Sequence, residues 1–70
     1  MRRELYMKKE NRDARAKVLR KQGFKVSRGS YRNQQMHPEY IRDWEGEVHT
    51  GFGNTQYRTW FTAVYEVSWE

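Results

Sequence analysis

The sequence predicts an α+β fold, one N-terminal helix packed on a three-stranded antiparallel sheet. Three observations lead there. A basic, amphipathic stretch ends at Gly23 in a helix-stop signature. The residues just after it alternate apolar and polar. Two further alternating segments, 40–50 and 56–69, are separated by the glycine-rich "GFGNT".

At the start of the chain, Leu5, Tyr6 and Met7 are adjacent rather than spaced on one helical face, and charged residues flank them. Residues 1–10 are therefore expected as a flexible basic segment, ahead of a single compact domain over 11–70. Asn11 suits a helix N-cap, and Asp13 would sit in the first turn near the positive end of the helix dipole. A helix beginning near residue 3 is the alternative. Ala14, Val18 and Leu19, at i, i+4 and i+5, form the apolar stripe expected to face the sheet. Gly23 fits the left-handed position after the helix, with Leu19 and Phe24 making the hydrophobic contact of a Schellman cap.

From Phe24 to Ser27 the alternation predicts a first strand, with Phe24 and Val26 toward the helix. Gly29 interrupts it. A bulge there would return Tyr31 to the core side and send Arg28 and Arg32 outward. His37-Pro38 marks a connection, since proline lacks a ladder donor and biases its predecessor away from helix. Residues 40–50 read as a second strand with Tyr40, Trp44 and Val48 on one face. "GFGNT" is a turn, its glycines and Asn tolerating positive φ. Residues 56–69 are the clearest strand, with Tyr57, Phe61, Ala63, Tyr65, Val67 and Trp69 on one face. The other face carries Trp60 and Val64, so something beyond one helix is expected to cover it, whether the N-terminal segment, a dimer mate or a ligand.

Composition narrows the function. With 70 residues and no Cys, the chain is one small domain without disulfides or thiolate metal sites. Three Trp, five Tyr and three Phe supply the buried area that a mean hydropathy of −1.25 would otherwise deny it. No apolar run is long enough for a membrane span, and no hydrophobic segment follows the basic start, so a cytoplasmic protein is expected.

Charge is distributed unevenly. Residues 1–35 hold twelve Lys/Arg against Glu4, Glu10 and Asp13, while residues 36–70 hold Arg42 and Arg58 against six acids. An imbalance of this kind points to an anionic partner for the basic half. Arg12, Arg15, Lys17, Arg20, Lys21, Lys25, Arg28 and Arg32 run from the helix into the first strand, a pattern suited to phosphate backbones, with Tyr31 as a base-stacking ring. The expectation is a non-catalytic nucleic-acid-binding protein. The alternative is a protein-interaction module, inhibitor or accessory subunit docking through Trp60 and Val64 or a sheet edge, with a homodimer as one form of it.

Catalysis has little to stand on. His37 and His49 lack a familiar metal-ligand spacing, Ser27 and Ser30 have no neighbouring base, and "GFG" sits between strands rather than before a helix. No cofactor, metal or enzyme activity is expected. No motif in the chain matches a family by name.

Overall fold

The computed structural model describes residues 1–46 and 58–70. It is an α+β fold with one helix and a three-stranded antiparallel sheet, and the helix follows a strand instead of leading the chain. In order, the elements are β1 (Arg2–Tyr6), α1 (Lys9–Lys21), β2 (Val26–Met36), a 3-10 turn (Pro38–Tyr40) and β3 (Thr59–Trp69). The last strand lies in the middle, giving the order β1-β3-β2. Both outer strands run antiparallel to β3, so α1 joins two mutually parallel strands across a central one, a split β-α-β arrangement. β3 suits the centre by composition: Phe61, Val64, Val67 and Trp69 are all buried, and the two outer strands contain no buried residue.

Two parts of the sequence reading are corrected here. Residues 2–6, expected as a loose segment, form β1, pairing from Arg2 opposite Trp69 to Tyr6 opposite Tyr65. Over residues 40–46 there is no second strand, only the end of the 3-10 turn and an isolated parallel bridge from Ile41 to Leu5. His37 supports that turn, its Nδ1 accepting a hydrogen bond from the Glu39 amide at 3.2 Å. Pro38 fixes the first turn position and is buried. Val48, His49, Tyr57 and the "GFGNT" turn fall outside the described residues.

The helix stop follows the sequence closely. Gly23 has φ 92°, the Phe24 amide donates to the Leu19 carbonyl at 3.2 Å, and the Gly23 amide donates to the Arg20 carbonyl at 3.0 Å. Those are the two hydrogen bonds of a Schellman cap. Phe24 nonetheless stays exposed, because Leu19 is occupied in the core against Ala16, Val67 and Trp69. The buried stripe of α1 is Arg12, Ala16 and Leu19, at i, i+4 and i+7, while Ala14 and Val18 face solvent. Leu19 is buried as expected, while the position expected of an apolar residue one turn into the helix is filled by the long stem of an arginine. Arg12 is only 6% exposed.

The helix start has an unusual source. Lys8 occupies the cap position without a side-chain cap bond of its own. Asp43, from the far end of the chain segment after β2, supplies the acceptors instead. Its Oδ1 accepts from the Met7 amide at 2.6 Å, and its Oδ2 accepts from the Lys8 amide at 3.0 Å and from Asn11 Nδ2 at 2.8 Å. The Arg42 amide donates to the Leu5 carbonyl at 2.8 Å, holding Asp43 in place beside the β1–α1 junction. Burial works against ionisation of Asp43, but the bonds from Met7, Asn11 and Lys8 outweigh it and hold the carboxyl below its ordinary 3.8.

That arrangement sets a testable pH dependence. A carboxyl whose value is lowered by folding contributes fully above its unfolded value and loses that contribution as pH falls through the folded one. Asp43→Asn keeps the shape but replaces one acceptor by a donor, which faces the Met7 amide even when the remaining oxygen serves Lys8 and Asn11. The expected cost in urea titrations at pH 7 is about 1–2 kcal/mol. The difference from the parent should shrink as pH falls below about 4. A constant difference between pH 7 and pH 2.5 would rule the capping role out.

The second face of β3 is covered from within the chain. Val64, Phe61 and Ile41 form a buried cluster, with Leu5, Met7, Met36 and Trp44 packed on it. Trp44 meets Phe61 edge-to-face at 5.5 Å between ring centroids. Val64 is therefore 0% exposed, whereas Trp60 is 67% exposed. The docking patch expected from that pair reduces to Trp60 alone, because β1 and the Ile41 segment take the space over Val64. No helix among the described residues is long and apolar enough to cross a membrane.

Candidate nucleic-acid interface

The basic residues of α1 separate into two flanks and an interior position. The separation follows from helical periodicity and two ion pairs. Arg15 leaves the helix toward β1, where its Nε donates to Glu4 Oε1 at 3.0 Å and its guanidinium lies 5.6 Å from the Trp69 ring centroid. Asp13 leaves on the opposite side, toward β2, and accepts from Arg28 Nη1 at 3.1 Å. Lys17 and Arg20 follow Asp13 at i+4 and i+7, so at about 100° per residue they share its flank. Lys21 continues the row one turn beyond Lys17.

Arg12 lies between the flanks, facing the sheet. Its Nε donates to Asp13 Oδ1 at 2.7 Å, its Nη1 donates to the Gly29 carbonyl at 2.8 Å, and the guanidinium sits 5.3 Å from the Tyr65 ring centroid. Burial alone would raise the Asp13 carboxyl, but the hydrogen bonds from Arg12 and Arg28 hold it below its ordinary value.

The neighbouring strand carries the rest. The pairing of β2 with β3 keeps one register from Val26 opposite Trp69 to Arg32 opposite Ala63, and Gly29 makes no bulge. Alternation therefore puts Val26, Arg28 and Arg32 on the helix side and Tyr31 on the other. The Arg28–Asp13 pair and the packing of Val26 against Leu19 and Val67 agree with this. On its own side the Tyr31 hydroxyl donates to Glu66 Oε2 at 3.2 Å. Val26 faces the helix as expected, but Arg28, Tyr31 and Arg32 lie on the sides opposite to those expected, because no bulge interrupts the ladder at Gly29.

Of the residues expected to contact an anion, three are thus engaged within the molecule. Arg12 is buried, Arg15 is paired with Glu4, and Arg28 is paired with Asp13. Lys17, Arg20, Lys21, Lys25 and Arg32 are exposed and have no anionic partner among the described residues. They border α1, the turn after it and the helix side of β2, which is an outer strand. Arg2, Lys9 and Arg58, which the sequence reading did not select, are unpaired in the same sense.

The acids explain why. Glu4 is nearly buried and accepts from the Tyr6 hydroxyl at 2.8 Å, from Arg15, and from Arg42 at 3.4 Å. Burial, then the bond to Glu4, pushes the Tyr6 phenol up to about 12. Glu66 pairs with Arg3, Glu45 with Lys8, and Asp43 caps the helix. Most acids are spent on architecture, and the excess positive charge is left at the surface. No group of three His, Cys, Asp or Glu side chains that could hold a metal occurs among the described residues. The arrangement can bind anions by charge and hydrogen bonding. No family model matches the chain, and comparison with curated proteins and with solved structures likewise finds no match.

Proposed function

We propose that this domain binds nucleic acid without catalysis, through the flank formed by the last two turns of α1 and the outer strand β2. The supporting observation is the row of exposed Lys17, Arg20, Lys21, Lys25 and Arg32, which has no acidic partner among the described residues. Arg28 borders the row and retains part of its donor capacity beside Asp13. Cations fixed on a helix and a strand meet phosphates with little further ordering, and arginine adds two-pronged hydrogen bonding.

Affinity of this kind is read by its salt dependence. Five phosphate contacts give a slope of log K against log salt of about −4 to −5 on duplex DNA. The triple variant Lys17→Gln, Arg20→Gln, Lys21→Gln keeps good helix formers at exposed positions, so circular dichroism and thermal midpoint should hardly move. Fluorescence anisotropy should show at least a 100-fold loss of affinity at 50 mM salt and a slope shallower by about 3. Binding that is insensitive to salt, or unchanged in the triple variant, would refute the assignment. In that event Trp60 becomes the first residue to test as a protein-docking site, since it is the most exposed aromatic on the sheet.

A further inference from the structure

We infer that the preferred ligand is a duplex rather than a single strand, an inference that rests on the nucleic-acid reading above and narrows it. The reason lies in which face each side chain occupies. Proteins that hold single strands combine a cationic groove with rings on which successive bases stack, each stacked base contributing about 1–3 kcal/mol. Here the two components are on opposite sides of one strand. Arg28 and Arg32 project toward α1, and Tyr31 projects away from it.

On the far side of β2 the Tyr31 hydroxyl is bound to Glu66, which also pairs with Arg3 at 3.5 Å, so ring and cation there are already engaged with one carboxylate. Trp60, opposite Gln35 in the register, is four residues along β3 from Val64, the partner of Tyr31. At about 3.3 Å per residue that separation exceeds the spacing of adjacent stacked bases. On the helix side, the rings of Tyr65 and Trp69 lie beneath the Arg12 and Arg15 guanidiniums and offer no open surface. Phe24, the exposed ring nearest the row in sequence, lines a cleft with Met1, Arg2 and Trp69 at the chain ends.

Among the described residues, the helix and strand faces that carry the basic row present charge with no ring between the cations. Such a surface draws its affinity from counterion release. Each neutralised phosphate contributes a slope of about 0.9 on B-form duplex and about 0.7 on a single strand. The denser duplex phosphates therefore gain more from the same side chains, and sequence has little influence.

The test is competition anisotropy with the full chain, using a 20-base-pair duplex and each of its separated strands, made as DNA and as RNA. At 100 mM salt a duplex of either chemistry should bind at least tenfold tighter than its strands, and Tyr31→Ala should leave duplex affinity within twofold. Single strands bound as tightly as the duplex, with affinity lost in Tyr31→Ala or Phe24→Ala, would overturn the duplex preference and leave nucleic-acid binding standing. Absence of binding to every probe at 50 mM salt would overturn both.

Discussion

Trp69→Ala should abolish the folded state at 37 °C or bring it to the edge of unfolding. The side chain is buried on the helix side of β3 with Ala16, Leu19 and Val67, and the Arg15 guanidinium lies over its ring. The backbone at Trp69 also stands between Arg2 of β1 and Val26 of β2 in the register, so the cavity would open where all three strands meet. Truncating a buried Trp costs about 3–5 kcal/mol. The whole stability expected of a 70-residue domain is about 4–10 kcal/mol, at about 0.05–0.15 kcal/mol per residue. A urea midpoint lowered by at least about a third is the expected reading. Loss of less than about 1 kcal/mol would mean that the helix does not depend on this contact.

Arg12→Ala should be more damaging than the same change at any other cation on the helix. It removes a hydrogen bond to the Gly29 carbonyl, one of the two arginine partners of Asp13, and the stem and guanidinium over Tyr65. The expected cost is about 2–3 kcal/mol, combining an acceptor left short of its donor with lost packing. Arg12→Lys should recover little, because an ammonium cannot bond Asp13 and Gly29 together while lying flat on the ring. Arg12→Met should recover about 1 kcal/mol through its apolar stem. Lys17→Ala, by contrast, should fall within about 0.5 kcal/mol of the parent. If Arg12→Ala and Lys17→Ala proved equally mild, Arg12 would belong with the surface charges after all.

Those two variants also mark the boundary of what could be read from the sequence. The fold class and the helix stop were legible, since Gly23 with Leu19 and Phe24 is a local signature needing no tertiary knowledge. The strand character of residues 59–69 was legible for the same reason, through period-two alternation. β1 was not. In "RRELY" one face carries Arg2, Glu4 and Tyr6 and the other Arg3 and Leu5, so charges fall on both, and the strand is recognisable only once Glu4 is seen to meet Arg15 and Arg42. Residues 40–46 misled in the opposite sense. Tyr40 and Trp44 suggested a strand, but the Pro38 turn and the Asp43 bonds to Met7, Lys8 and Asn11 fix that segment otherwise.

The interface was legible as a charge excess and not as a shape. Counting residues finds twelve cations in the first half; it does not say that Glu4 and Asp13 would absorb Arg15, Arg12 and Arg28. Nor could it orient Tyr31, whose side depends on whether Gly29 bulges, a matter decided by the whole β2–β3 ladder. Arg12 itself had a usable signal. Its i, i+4, i+7 spacing with Ala16 and Leu19 is the stripe, once a long aliphatic stem is allowed to count as apolar.

The placement of β3 between its two neighbours bears on how the polypeptide is made. During vectorial synthesis neither β1 nor β2 has a sheet neighbour until Thr59–Trp69 has emerged. The nascent chain up to that point is one short helix with two unsatisfied ribbons, and closure across more than fifty residues, from Tyr6 to Tyr65, must come at the end. The sheet therefore forms in one non-local step that waits on its central strand, rather than by stepwise addition of neighbours.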